Sequence, residues 1–346
     1  MPENSNPASS PVPYPVLVIV QPGSWECDPT KQTVFSLPDR QLHYIATPEP
    51  TNRKTSYFPT PQGWVLVVVP ADPSSSWWWS GSTTYLLNPE DRSRIELPPL
   101  GDNDELPATK CRCVLSDRVP VPGSVVLVFD LQSPAMWHCR VGGRWFRHDY
   151  DIGSYELSEE YCPPPCPRTR KKNLLDVAAV DGRFFFVESD DVLGTVDFFE
   201  HDDQRPRLGV IAVPGVDFAE GFTATYLVDS GGRELLMVRI GFQGLSVDGP
   251  WDLRVYRMDF ASAVWRRTED VGDRALLLGD ENFAASCSAS GCGLRANCVY
   301  WMNCFGEGGS ILYAMDLHGS GAEELMRRGN SPGVPPRPFW VLPIGS

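Results

Sequence analysis

Cys111-Arg-Cys113 and Cys162-Pro-Pro-Pro-Cys166 are the places where residue type and spacing first suggest chemistry. Thiolates suit Zn²⁺. In a strand, Cys111 and Cys113 would point to the same face, which permits joint ligation. A tetrahedral site needs four ligands, however, and nothing in the sequence supplies the other half. Buried structural thiols are the expectation for most of the ten cysteines. A thiol switch at Cys162 and Cys166 is the alternative for an exposed loop. Cys287, Cys292, Cys298 and Cys304 are spaced too irregularly for a zinc knuckle and suit strand packing. The five histidines, His43, His138, His148, His201 and His318, are scattered, and none stands at metal-ligand spacing from another. The acidic pairs Asp190-Asp191 and Asp202-Asp203 lie in turn-like contexts and read as solvated loops. No nucleophile elbow, P-loop or H-E-x-x-H motif is present. The expectation is no catalytic residue, no metal ligand, no cofactor and no enzyme.

One cluster suggests binding instead. Trp77, Trp78 and Trp79 follow Pro73-Ser-Ser-Ser76 and precede Ser80-Gly81. Successive strand residues alternate faces, so three rings in a row cannot all enter one core. At least one is expected at the surface, where aromatics favour partner contacts. The competing reading packs two rings between sheets and lays the third over a rim.

The elements that would position such residues are short. Segments 16–20, 64–69, 124–129, 183–187, 234–240, 253–258 and 311–315 are apolar or alternating and are bounded by turn residues. The 33 prolines and 30 glycines are spread along the chain as punctuation. No apolar 3.6-residue period lasts beyond about two turns. The best helix candidate is 322–328.

A degenerate repeat organises these segments. A strand runs into a polar turn carrying Asn or Asp, and a second strand follows. The pattern appears at 33–45, 84–97, 125–139 (with a further strand at 144–147), 195–211, 254–267 and 311–325. Strand repeats of roughly 40–50 residues point to propeller blades. The predicted fold is an all-β propeller of about six blades, covering 14–343, with a flexible tail at 1–13. The wide gap between the third and fourth hairpins, around Cys162–Cys166, reads as an insertion loop, because a proline-rich segment cannot join a central strand. Pro338-Phe-Trp-Val-Leu-Pro343 is predicted to pair near Tyr14 and close the ring.

Composition narrows the function classes. Of 346 residues, 42% are hydrophobic and 21% charged, as in a globular chain. The net charge of −14 disfavours nucleic-acid backbones as partners. The only basic cluster, Arg168-Thr-Arg-Lys-Lys172, reads as a solvated loop, with nuclear targeting as its alternative role. No segment approaches the ~20 apolar residues of a membrane span, and no secretory or mitochondrial leader is recognisable. A soluble, monomeric chain of the cytoplasm or nucleus is expected.

Several motifs occur together in order: Val271-Gly-Asp-Arg-Ala-Leu-Leu-Leu-Gly279, Ser286-Cys-Ser-Ala-Ser290 and Asn297-Cys-Val-Tyr-Trp301. They resemble the C-terminal signature of the plant KIB-type β-propeller family, which is related to F-box and kelch proteins. Pro61-Gln-Gly-Trp64, Leu86-Leu-Asn-Pro89 and Ile95-Glu-Leu-Pro-Pro99 resemble its first blades. The resemblance spans about 14–343. Leu277 stands where the family usually has Phe, and Gly291-Cys-Gly293 replaces a Phe-Pro-Gly-like turn. Many relatives carry an F-box before the propeller, whereas about a dozen residues precede the first strand here. The resemblance therefore implies the recognition half of a ubiquitin-ligase substrate adaptor without its docking half.

Three functions follow as hypotheses. The leading one is a protein-interaction propeller whose rim loops grip a partner of unknown identity. Its acidic surface suits a basic patch. The alternatives are a propeller enzyme with a central-funnel site and a diverged family copy without a strong role. Three or more ionisable groups converging on the central channel would favour the enzyme.

Overall fold

The alternating segments pair with their chain neighbours into six small sheets set around a central axis. The computed structural model describes residues 12–344, apart from 20–30, 47–54, 70–81, 101–109, 158–167, 200–204, 217–222, 243–248, 305–308, 329–337, Gly232 and Ser320. Among the described residues there is no α-helix, and a single 3-10 turn covers Asp280–Asn282.

Blade 1 runs from the axis outward as Phe339–Val341, Val16–Ile19, Lys31–Ser36 and Gln41–Ala46. Blade 2 contains Ser56–Pro59, Val65–Val69, Thr83–Leu87 and Arg94–Leu97. Blade 3 contains Cys111–Leu115, Val125–Asp130, Ala135–Arg140 and Trp145–Asp149. Blade 4 contains Val177–Val180, Arg183–Ser189, Val192–Asp197 and Arg207–Ala212. Blade 5 contains Thr223–Asp229, Leu235–Phe242, Pro250–Asp259 and Val264–Thr268.

Blade 6 has five strands in the order Ala284–Ser288, Arg274–Leu278, Cys298–Asn303, Ser310–Asp316 and Ala322–Arg328. Its chain turns back toward the axis, so Arg274–Leu278 pairs in parallel with Cys298–Asn303. The family-like motifs at 271–279, 286–290 and 297–301 fall on the three inner strands of this blade and their flanking turns.

The predicted closure is present. Val16, Leu17 and Val18 pair antiparallel with Val341, Trp340 and Phe339. The first blade thus joins the two ends of the repeat array and closes the ring.

Segment 322–328 corrects the helix expectation. It is the outer strand of blade 6, paired with Ser310–Asp316. Its exposed Glu and Arg residues carry good helix propensity, but the ladder offered by the neighbouring strand decides. The basic cluster is also more ordered than a loop. Thr169–Lys171 forms an exposed two-stranded ribbon with Ser154–Glu156, and Lys171 pairs with Asp151 at 3.1 Å.

The recurrent turn acids act as the sequence suggests. Side-chain oxygens of Asn88, Asp130, Asp259 and Asp316 accept the backbone N–H two residues ahead, at 2.8–3.1 Å. This local bond fixes the turn without a partner strand.

The core lies between blades. Alternation sends Leu17 and Ile19 toward blade 6, and Val16 and Val18 toward blade 2. Trp64, Trp137 and Trp145 fill the contact between blades 2 and 3, and Phe129, Phe184 and Phe186 that between blades 3 and 4. Trp301 and Phe242 fill the contact between blades 5 and 6.

Candidate functional site

The inner strands place their first residues at one end of the channel. Arg112 stands second in Cys111–Leu115, Asp176 immediately precedes Val177–Val180, and Asp280–Asn282 leads toward Ala284–Ser288. In Cys111-Arg-Cys113-Val-Leu115, alternation sends both cysteines into the core shared by blades 2 and 3. Arg112 is thereby turned to the opposite face, which it shares with Val114 on the blade 4 side, and its guanidinium reaches the blade 6 turn.

Arg112 Nε donates to the Glu281 carbonyl at 2.9 Å, and Nη2 donates to the Asp280 carbonyl. The guanidinium also stands 5.1 Å from the Phe283 ring centroid. Burial lowers its pKa to about 10, so it stays charged at neutral pH. The turn it holds is unusual, since Glu281 and Asn282 both have positive φ, 53° and 63°. Non-glycine residues adopt that conformation at an energetic cost, which here is offset by the clamp.

Asp176 lies within reach of this arrangement. Burial raises its carboxyl to about 7, against the lowering effects of a hydrogen bond from Asn282 and the charge of Arg112. Its Oδ1 atom is shut off from solvent with no hydrogen-bond partner among the described residues. Deeper in, Trp301 Nε1 donates to Tyr226 Oη at 2.9 Å, and burial pushes the Tyr226 phenol up. A pocket of about 290 Å³ opens beside the clamp, lined by Ser56, Lys110, Arg112, Asp280, Glu281 and Phe339 among others.

The other end of the channel is wider. A concavity of about 590 Å³ is lined by Gln62, Asp117, Arg118, Asp181, Asp229 and Arg233 among others. Arg118 Nε pairs with Asp229 Oδ2 at 3.2 Å, joining blades 3 and 5. Arg233 pairs with Asp181 at 3.1 Å, joining blades 5 and 4. Asp229 Oδ1 accepts the Gly231 N–H at 2.8 Å, and its carbonyl accepts Ser286 Oγ at 2.7 Å. Gly231 has φ +82°, and a Cβ there would lie 2.3 Å from Arg274 Nη2. Only glycine allows the two guanidinium groups to approach this turn so closely. Next to Arg118, Val119 and Val121 are 58% and 53% exposed.

The residues singled out from the sequence are distributed as follows. Trp77, Trp78 and Trp79 lie outside the described residues, as do Cys162, Cys166, His201, Asp202 and Asp203. Cys111 and Cys113 are buried, and burial raises both thiols. Cys287, Cys292 and Cys298 are buried in the core between blades 6 and 1, with Cys304 packed at its edge. Among the described residues no three His, Cys, Asp or Glu side chains are placed to hold a metal ion. Asp190 and Asp191 sit in a turn, and Asp190 pairs with Arg239 at 2.9 Å.

His138 and His148, ten positions apart, stack with centroids 5.1 Å apart. Cross-strand pairing brings His138 opposite Phe146 and His148 opposite Met136, so both rings share one face. Phe198 closes over His138 at 4.5 Å. Burial and the charge of Arg205 lower the His148 pKa.

Sequence reasoning missed Arg112, Asp176 and Asp280–Asn282. The signal that could have found Arg112 is a lone charge inside an apolar strand, facing away from its cysteine neighbours.

The KIB1-4 beta-propeller family matches residues 34–324. The chain belongs to this family. No curated protein matches the chain. Among solved structures, this KIB1-4 propeller is similar to a protein assigned as a 6-phosphogluconolactonase from Bacteroides uniformis. The two are 12% identical with a TM-score of 0.40, over 91% of this chain and 83% of that one. It is also similar to virginiamycin B lyase from Staphylococcus aureus, at 9% identity and a TM-score of 0.30, over 84% and 71%. Likenesses this distant say nothing about the reaction or ligand of the KIB1-4 chain. No helix among its described residues is long and apolar enough to cross a membrane.

Proposed function

We propose that this KIB1-4 propeller recognises another protein through the wide end of its channel. The observation that carries this reading is the pairing of two exposed valines, Val119 and Val121, with the charged concavity beside them. Apolar anchors next to a polar, concave rim suit protein recognition. The concavity has three carboxylates against two guanidinium groups, and the whole chain carries −14. A partner with a basic patch is therefore favoured, and its retention should weaken as salt rises. The resemblance of its motifs to F-box-related propellers supports a partner of the kind selected by ubiquitin-ligase adaptors.

Affinity enrichment from plant extract, read by quantitative mass spectrometry, tests this. The expected result is a reproducible partner that is lost from Val119→Asp/Val121→Asp while the melting temperature holds. Equal enrichment by both proteins would remove the wide end from consideration. A separate arm with Trp77, Trp78 and Trp79 replaced by alanine tests those rings as a second contact.

One observation favours a second reading. Arg112, Asp176 and Asp280 converge on the narrow end, and a carboxyl near pKa 7 is suited to general acid–base work. Against it, Arg112 already donates to two main-chain carbonyls, so it is better placed to hold the turn than to bind a substrate. Turnover of any substrate that Asp176→Asn abolishes, without loss of the partner, would favour the enzyme.

A further inference from the structure

Blades 1 and 2 meet differently from every other pair among the described residues. At the other five contacts, facing side chains merge into one continuous core. Here the two faces remain separate clusters. Blade 1 presents Val16, Val18, Val34 and Val341, and blade 2 presents Val65, Val67, Tyr85 and Leu87. The buried face of blade 1 is valine only, and the larger Tyr85 and Leu87 of blade 2, with the half-buried Tyr14, Ile45, Tyr57 and Phe339, leave the two clusters unjoined. What remains is a cavity of about 260 Å³, walled by Val16, Val18, Val65, Leu87, Phe339 and Val341 among others.

The mouth of this cavity is polar. Gln32, Glu90 and Arg92 stand on its lining, and Tyr14 donates to the Pro89 carbonyl at 3.2 Å beside it. Glu90 and Arg92 are of opposite sign, so a ligand bearing one net charge meets a like charge there. A neutral group able to donate and accept hydrogen bonds suits both. The size can be scaled from the ~150 Å³ apolar cavity that holds benzene, which gives a ligand of about ten non-hydrogen atoms.

We propose that the cleft between blades 1 and 2 is a binding site for a small, uncharged bicyclic aromatic molecule carrying one hydroxyl or amide group. The ring system fills the valine-walled space, and the polar substituent faces Gln32, Glu90 and Arg92. This cleft shares Tyr57 and Phe339 with the narrow-end pocket but no lining residue with the wide end, so its occupancy does not depend on the partner reading above.

Isothermal titration of the full chain with 2-naphthol tests the proposal. The expected result is one site with a dissociation constant in the micromolar to millimolar range. Val18→Phe and Val65→Leu, which fill the cavity from opposite walls, should each weaken binding at least tenfold. Val65→Leu should keep or raise the melting temperature, so it carries the test if Val18→Phe does not fold. Absence of binding to the wild-type chain, or unchanged affinity in Val65→Leu, overturns the proposal.

Discussion

Replacing Trp340 with alanine is expected to lower the unfolding free energy by about 3 to 5 kcal/mol, the usual range for a fully buried large aromatic. Trp340 is completely buried in the core between blades 6 and 1. Its Nε1 donates to the Leu278 carbonyl at 2.9 Å, so the inner edge of blade 1 is bonded to blade 6. It also belongs to the short strand that closes the ring. The change therefore removes packing, a buried hydrogen bond and part of the closure together. Trp340→Phe separates these contributions. It keeps most of the packing and loses the N–H, for about 1 kcal/mol plus the penalty of an unpaired carbonyl. Urea denaturation measures both. A loss below about 1 kcal/mol for the alanine variant would mean that the closing strand contributes little to the ring.

Arg112→Leu should be comparably damaging, at about 3 to 5 kcal/mol, because it strips a buried charge from its partners. The carbonyls of Asp280 and Glu281 lose their donor, and Asp176 loses its nearest compensating charge. Asp176→Asn is the informative companion. If Arg112 also serves to offset Asp176, the double variant is less destabilised than the sum of the two singles.

The pH dependence isolates the carboxyl. Asp176 titrates at about 7 in the folded chain against a usual value of 3.8. Below that usual value the proton is held in both states. Between the two values only the folded state holds it, so the contribution to stability falls as pH rises through 7. From pH 5.5 to 7.5, wild type should lose about 2 kcal/mol relative to Asp176→Asn. His148 acts with the opposite sign. Its pKa is lowered on folding, so its contribution is recovered as pH rises through the ordinary histidine range. Comparison with Asp176→Asn cancels the histidine effect because both proteins carry it. A pH-independent difference between the two would remove Asp176 from the buried cluster.

Much of the fold could be read from the chain. Short apolar runs bounded by turn residues marked strands at Val16–Ile19, Val65–Val69 and Ser310–Asp316. The turn oxygens of Asn88, Asp259 and Asp316 marked hairpins, because each acts on its own backbone two residues away. The closing strand was legible too, since an apolar run at each end of a repeat array has only the other end to pair with. The family motifs of blade 6 added a check independent of pattern. Ala322–Arg328 failed because its polar composition suits a helix, and only the exposed ladder of Ser310–Asp316 makes it a strand.

The sequence alone determined the six-bladed all-β architecture, since hairpin signals act over a few residues and recur along the chain. Only the tertiary structure decided what meets across it. Arg112, Asp176 and Asp280 are separated by 64 and 104 positions, and His138 lies beside His148 through strand pairing. The arrangement of blades around the ring sets the first approach, and the ladder within blade 3 sets the second. The valine-lined gap between blades 1 and 2 shares the first origin. Each face alone looks like ordinary strand packing, and the gap exists only once two sheets are held apart by the rest of the ring.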